Sequence, residues 1–515
     1  MKDIKRPTYL VLATAGLALS GMLVASGPAA AQGKTVTIVG QDEMPDHDLC
    51  NAMRSTQGRV MRQNVGEALT KINPVDGTVT PLLATSWKQT DPNTWRFTLR
   101  KGVNYHDGSP FNAAAVVKAL QRTYYAPALF CENRSKSGMK TGISFKAIDE
   151  HTVDIGLDVP APILPVRMGV ITMTHPDAPL DALQTELPIG TGPYVFTSYK
   201  SDQEIILTRF DGYWGDKPEV ESARYIYRKE SSVRAAMVKI GEADIAPNIS
   251  VLDADDPTMD FSFLNSETSR LRLEVFTAPL DDKRIRKALN LAIDRDALKG
   301  SVFSKDVLKA TQHVVPSIAG HNHEIDKRVW PYDPKQAMKL IAEAKADGVA
   351  VDTELKLTCR LNQWPGAQEA MEAIMGYFHE VGLNVSLNCI ESGLHSDMNR
   401  KPYAKGRGAL LFQDQHDNNN GDAVFTFFAK YGCEGEQSTI CSPEADKLAI
   451  DGAQLPTGPA RAAKFAEAFR IVYEDVIGDV PLFHMVGYAR VGSRINYTPS
   501  IATNTEVELS QISFN

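Results

Sequence analysis

Residues 355–389 read LKLTCRLNQWPGAQEAMEAIMGYFHEVGLNVSLNC, and their pattern sets the fold class. Residues 355–359 form a short strand-like run, 368–381 carry helical spacing closed by Gly382, and 385–389 form a second strand-like run. Strand, helix and strand in this order make a βαβ unit, so the strands are expected to be parallel with a right-handed crossover. The chain is read as α/β.

The same alternation extends outward. In 281–298, Ile285, Ala288, Leu289, Ala292 and Ile293 fall on one helical face, with Asp281 and Asp282 at its positive end. Asp333-Pro334 has the order of an N-cap followed by a first-turn proline, and Gly348 ends that helix. A last helix over 459–476 carries Phe465, Phe469 and Val472 on one face. The N-terminal half is richer in strands. Trp95, Phe97 and Leu99 alternate with Arg96, Thr98 and Arg100 after the turn Asp91-Pro92-Asn93, and Val153, Ile155 and Leu157 alternate likewise. Asn112 is placed to cap a helix over 113–125.

The first residues carry a compartment signal. Lys2, Lys5 and Arg6 precede an apolar run over 9–24, and Ala29-Ala30-Ala31 offers small residues for cleavage, so 1–31 is read as a secretory signal peptide and the mature protein as periplasmic. The net charge of −8 excludes a basic nucleic-acid-binding surface as the main feature. The six cysteines all follow residue 31, which suits disulfides in an oxidising compartment. Cys433 and Cys441 are expected to pair, and Cys50 with Cys131. Cys359 and Cys389, at the ends of two strands, are read as buried thiols. No CxxC spacing supports a metal centre, and His321 and His323 are read as solvated loop residues, so no metal or cofactor is expected.

Five segments in fixed order resemble the peptide/nickel/opine group of periplasmic solute-binding proteins, solute-binding family 5. They are WRFTLRKGVNYHDGSPFNAAAVV at 95–117, GTGPY at 190–194, DGYWG at 211–215, GEADI at 241–245 and PLDDKRIRKALNLAIDRDAL at 279–298. The resemblance makes His106-Asp107 a structural turn instead of a catalytic dyad. It implies a periplasmic-binding-protein type II-like fold, in which two α/β lobes are joined by a hinge and an extra domain is inserted in the first lobe. Residues 32–275 would form lobe one, with the extra domain at about 76–190. Residues 276–484 would form lobe two, and 485–515 would return to lobe one.

The resemblance also implies the function, which is capture of oligopeptides or peptide-like solutes between closing lobes, as the monomeric receptor of an ABC permease and ATPase in the inner membrane. An opine, a sugar-phosphate conjugate or a nickel chelate is the alternative ligand, and a secreted hydrolase or chaperone the remote one. No GxSxG, HExxH or phosphate-cradling glycine loop supports an enzyme. The apolar run 409–412 leads into a polar loop, where an α/β sheet presents ligand groups. Gln413, Asp414, His416, Asp417, Asn418 and Asn419 are the candidates there, and either Asp417 or Asn419 occupies the position that meets a peptide amino group in this family. Arg360, Asn362 and Trp364, after the strand at 355–359, offer a carboxylate clamp, an amide and an aromatic wall.

Overall fold

The computed structural model describes residues 33–515, apart from 127, 128, 130, 138, 140, 141, 185, 362, 365 and 418–420, and the backbone alone at 135 and 136. The expected leader over 1–31 lies outside the described residues. None of the described helices is long and apolar enough to cross a membrane.

One hydrogen-bonded sheet runs through both lobes. From one edge its strands are Val385–Ile390, Leu355–Arg360, Ala409–Asp417, Asp260–Leu273, Asp479–Val491, Ile245–Ile249, Thr35–Gly40, Ser222–Tyr227, Glu204–Arg209 and Tyr194–Lys200. The opening βαβ unit sits at the lobe-two edge. Leu355–Arg360 and Val385–Ile390 are parallel, and the helix Ala367–Glu380 between them buries Ala370, Met371, Ile374 and Phe378. Gly382, at φ +88°, turns the chain back into the second strand.

A second sheet is antiparallel, in the order Ala84–Asp91, Thr94–Leu99, Thr152–Leu157, Ile143–Asp149. Its alternating residues Phe97, Val153 and Ile155 are wholly buried, in one core with Val116 and Leu120 of the helix Ala113–Tyr125. Asn112 caps that helix by accepting from the Ala115 N–H at 3.0 Å. Asp333 caps Pro334–Ala346 in the same way.

Two expectations need correction. The helix expected over 281–298 is two helices, Lys283–Ala292 and Arg295–Leu298. Ile293 takes an extended conformation, and Asp294 then caps the second piece through the Asp296 and Ala297 N–H groups. Local capping thus breaks an apolar periodicity that continues through the break. The second correction concerns the cysteines. Cys50–Cys131 and Cys433–Cys441 form as expected, but Cys359 and Cys389 are also joined. They are direct register partners on neighbouring parallel strands, with Cα atoms 4.4 Å apart, a separation that suits a disulfide.

In lobe one the quoted motifs close on a single carboxyl. Glu67, 1 % exposed, accepts from Thr191 Oγ1 at 2.9 Å, Tyr213 Oη at 3.0 Å and Trp214 Nε1 at 3.0 Å. The Arg100 guanidinium lies 4.1 Å over the Trp214 ring. His106 Nε2–H donates to the Gly192 carbonyl at 2.9 Å, and its Nδ1 accepts from the Gly190 N–H at 3.3 Å, so the His-Asp-Gly turn is a brace. A Cβ at Gly190 or Gly192 would run into the Val65 and Asn64 carbonyls, which is why glycine stands there. Burial pushes the Glu67 carboxyl up to about 7, although its three donors pull the other way.

Two stability measurements follow from these contacts. Replacing Cys359 and Cys389 together by Ser should lower the unfolding free energy by about 2–4 kcal/mol in denaturant titration, and no loss would show that the link does not support the βαβ unit. For Glu67, the folded-state pKa lies above the ordinary value of 4.5. The folded chain therefore holds this proton more tightly than the unfolded chain. Its contribution is whole below about 4.5 and is lost as pH rises through about 7. Glu67→Gln should flatten the fall in thermal stability across that window, and an unchanged slope would assign the fall to other groups.

Candidate solute site between the lobes

The site begins where two long strands stop pairing. Asp260–Leu273 and Asp479–Val491 run antiparallel between the lobes. Residues 260–264 pair with 486–490, and 268–272 pair with 479–484, with a register shift between Leu264 and Thr268. Asn265, Ser266 and Glu267 fall in the break. The Asn265 side chain accepts from the Glu267 N–H, a local turn that takes the place of the ladder. On the lobe-two side, Glu267 is the register partner of Asp417, the last residue of Ala409–Asp417. Ser266 Oγ donates to Asp417, and Gln415 Nε2 donates to Glu267. Burial, together with the charge of Asp417, pushes the Glu267 carboxyl up to about 7.

A crevice of about 40 Å³ opens beside this break. That volume takes a few waters and is far too small for a dipeptide. Arg62, Lys71, Glu506 and Glu508 line it, together with Ser266, Ile318 and Gly421. Arg62 pairs with Glu506 at 3.2 Å, and Lys71 Nζ donates to both Glu508 oxygens at 2.6 and 2.7 Å. Burial, with Glu508 beside it, pushes Glu506 up to about 8. Burial also acts on Glu508, but the Glu506 hydrogen bond and the Lys71 ammonium hold it below the usual range. The proton therefore stays on Glu506, because two adjacent buried carboxylates do not both ionise.

The walls meet through backbone. Gly77 has φ +69° and Gly421 φ +78°, and a Cβ on Gly77 would lie 2.8 Å from the Gly421 carbonyl oxygen. A Cβ on Gly421 would lie 3.0 Å from Ile72 Cγ2. Farther out, the Arg167 guanidinium sits 5.6 Å over the Phe425 ring.

The residues expected to bind are spread over several environments. Asp414, 1 % exposed, is held by Arg270 Nη2 at 3.0 Å and by Lys430 Nζ at 2.8 and 2.9 Å. Lys430 and Arg270 hold its carboxyl well below the usual range despite burial. Gln413 is also 1 % exposed. Its side-chain oxygen accepts from the Arg360 N–H at 3.4 Å and its carbonyl from His395 Nε2 at 2.9 Å. His416 stacks on His313 with centroids 5.3 Å apart and reaches Thr426 Oγ1 at 2.9 Å. Trp364 packs on Phe303 with centroids 5.5 Å apart. Gln413 Nε2, Arg360 Nε and Trp364 Nε1 are buried N–H groups with no protein acceptor among the described residues. Asn418, Asn419 and Asn362 lie outside the described residues. The sequence reading placed Gln413, His416 and Asp417 in a polar loop, but the strand runs on through Asp417, so all three lie on it, with Arg360 beside Gln413. It missed Arg62, Lys71, Glu267, Glu506 and Glu508. The only signal for Glu506 and Glu508 was the expected return of the chain to lobe one.

Comparison with known proteins agrees with this architecture. Residues 78–435 match the family described as "Bacterial extracellular solute-binding proteins, family 5 Middle". The chain is 27% identical over 514 residues to the probable di/tripeptide-binding protein 5 of Pseudomonas aeruginosa (strain UCBPP-PA14), covering 93% of this chain and 95% of that one. It is 30% identical over 345 residues to the dipeptide-binding protein of Escherichia coli (strain K12), covering 61% and 64%. A periplasmic binding protein from Helicobacter pylori, solved in complex with the peptide STSA, superposes with a TM-score of 0.76 at 20% identity, covering 94% of this chain and 98% of that one. The chain belongs to the bacterial extracellular solute-binding proteins of family 5, built as two type II-like α/β lobes about a hinge.

Proposed function

We propose that this protein captures oligopeptides or peptide-like solutes in the periplasm and delivers them to an ABC permease and ATPase in the inner membrane. The observation that carries the peptide reading is the crevice wall. Arg62 and Lys71 stand beside Glu506 and Glu508 at a hinge between two lobes. A peptide is a zwitterion, and a wall with both signs of charge suits its two ends. The relatives named for di- and tripeptides support the same reading. In this reading lobe one is 32–275 with an insert at about 76–190, lobe two is 276–484, and 485–515 closes lobe one.

Roles for the remaining candidates follow from their surroundings. Asp417, at the strand end beside Ser266, meets the solute amino group, with His416 on the same strand; Asn418 and Asn419 remain candidates from the sequence. Arg360, Gln413 and Trp364 hold buried N–H groups that donate to solute oxygens. Asp414 acts at one remove, by fixing Arg270 and Lys430 under the strand. Opening of the hinge widens the crevice to admit the solute, and the lobes then close around it.

Calorimetric titration with di- to tetrapeptides should show saturable binding. N-acetylation or C-amidation should each weaken it at least about tenfold, or about 1.4 kcal/mol. Failure of every unmodified peptide to bind would sink the peptide reading and leave the family assignment standing. Gly421→Ala should also weaken binding at least about tenfold, because a Cβ there strains a positive-φ residue and presses on Ile72. Small-angle scattering should show that variant more open with solute present, and wild-type affinity with wild-type closure would refute the role given to this contact.

A further inference from the structure

Three ligand-bearing side chains gather on the lobe-two segment that backs the crevice. One ligand atom from each of His321, His323 and Asp326 lies within 4.8 Å of the others. His321 is 7 % exposed, and its Nδ1 sits 2.9 Å from the Val314 carbonyl. That contact places a proton on Nδ1, so in the neutral ring the lone pair is on Nε2. Nε2 then faces Asp326 Oδ2 at 2.8 Å. Two acceptors at this distance repel unless a proton or a metal ion lies between them. The Gln312 amide, 3.2 Å from Nε2, meets this need only in part, because it is also within reach of the Asn322 carbonyl and Asp326 Oδ1. His323 Nδ1 lies 3.6 Å from the same Oδ2, on a side chain 69% exposed, which gives solvent a path in.

A second observation lies on the crossing strand. His484 is 1 % exposed, and its ring centroid is 5.8 Å from that of His321. Its Nδ1 is engaged by Thr268 Oγ1 at 2.9 Å, while Nε2 has no protein partner among the described residues. A buried imidazole nitrogen without a protein partner among the described residues adds a further potential metal-binding group beside the His-His-Asp cluster.

We propose that His321, His323 and Asp326 form a site for a divalent first-row transition ion of the zinc type. Two imidazoles and one carboxylate suit such ions, whereas calcium and magnesium prefer all-oxygen sites. Metal–ligand bonds of about 2.0–2.1 Å set tetrahedral ligand separations near about 3.4 Å, and the separations of 2.8 and 3.6 Å straddle that value. The Val314 carbonyl orients His321 as outer partners of metal-binding imidazoles do. Three protein ligands leave a fourth position for water. The site would brace the crevice floor, because the Ala319 carbonyl accepts from the Ala423 N–H at 3.0 Å just beyond Gly421. It is independent of the solute class proposed above.

The test uses the full mature chain, free of any affinity tag and stripped with chelator. Calorimetry with zinc chloride should give one ion per chain, and magnesium chloride should give no heat. Cobalt(II) should produce a visible d–d spectrum. His323→Ala, at an exposed position that leaves the fold intact, should weaken zinc binding at least about tenfold and abolish the cobalt spectrum. Asp326→Asn should do the same. Absence of stoichiometric zinc binding, or wild-type affinity in both variants, would overturn the proposal.

Discussion

The antiparallel pairing of Asp260–Leu273 with Asp479–Val491 is the contact on which both lobes depend. Every other strand of the large sheet belongs to one side or the other of this pair. Each end is pinned by a buried arginine. At the lobe-one end, Arg490 donates to Asp260 at 2.6 and 2.7 Å and to Asp255 at 2.7 Å. At the lobe-two end, Arg270 bridges Asp414 and Asp479, and the Tyr431 hydroxyl donates to Asp479 at 2.7 Å. Buried guanidinium groups are tolerated only when fully paired, and breaking one such pair costs several kcal/mol. The ends are therefore stiff. The middle, at 265–267, has given up its ladder. A hinge needs a few residues that absorb rotation between rigid bodies, and this pair supplies that division within two strands.

The crevice beside the break holds charge at high density. With water excluded, attraction and repulsion between charges grow several-fold over their values in solution. The proton on Glu506 is one answer to that density, and the Lys71–Glu508 pair is another. A solute bearing both an anionic and a cationic group can replace these internal partners without leaving a net buried charge. A neutral apolar molecule cannot do this, which makes the wall selective before any specific fit is considered.

The fold was legible wherever local pattern and tertiary context agree. The βαβ unit at 355–389 announced itself through two short strands and a glycine-closed helix, and its parallel register follows from chain length and handedness. The Asn112 and Asp333 caps were legible for the same reason, since capping is decided within four residues. The break at Ile293 was not, because the apolar spacing runs on through it and only Asp294 signals the restart. The Cys359–Cys389 bond was not read either, although parallel register alone brings those residues together. For the site, the apolar run 409–412 was visible, but the polar residues after it read as a loop, whereas the strand continues to Asp417. The opposite wall was invisible. Arg62 and Glu506 are separated by most of the chain, and nothing in either local sequence marks them as neighbours.

The two lobes contribute unequally to closure. The Arg62–Glu506 and Lys71–Glu508 contacts that line the crevice both lie on one wall of it. They are satisfied whether the lobes are open or closed, so they do not pull the lobes together. Direct contacts across the crevice include the Gly77–Gly421 backbone approach, Ile72, and the Arg167–Phe425 stack. A solute can shift a hinge only by the difference in its affinity for the two states. Contacts it makes to lobe one alone are the same in both and shift nothing. In the proposed reading, the groups that convert solute binding into closure are on the opposite wall, where the strand end 413–417 lies. It follows that affinity for the charged ends of a solute and the closure a transporter would read are set by different walls of one crevice.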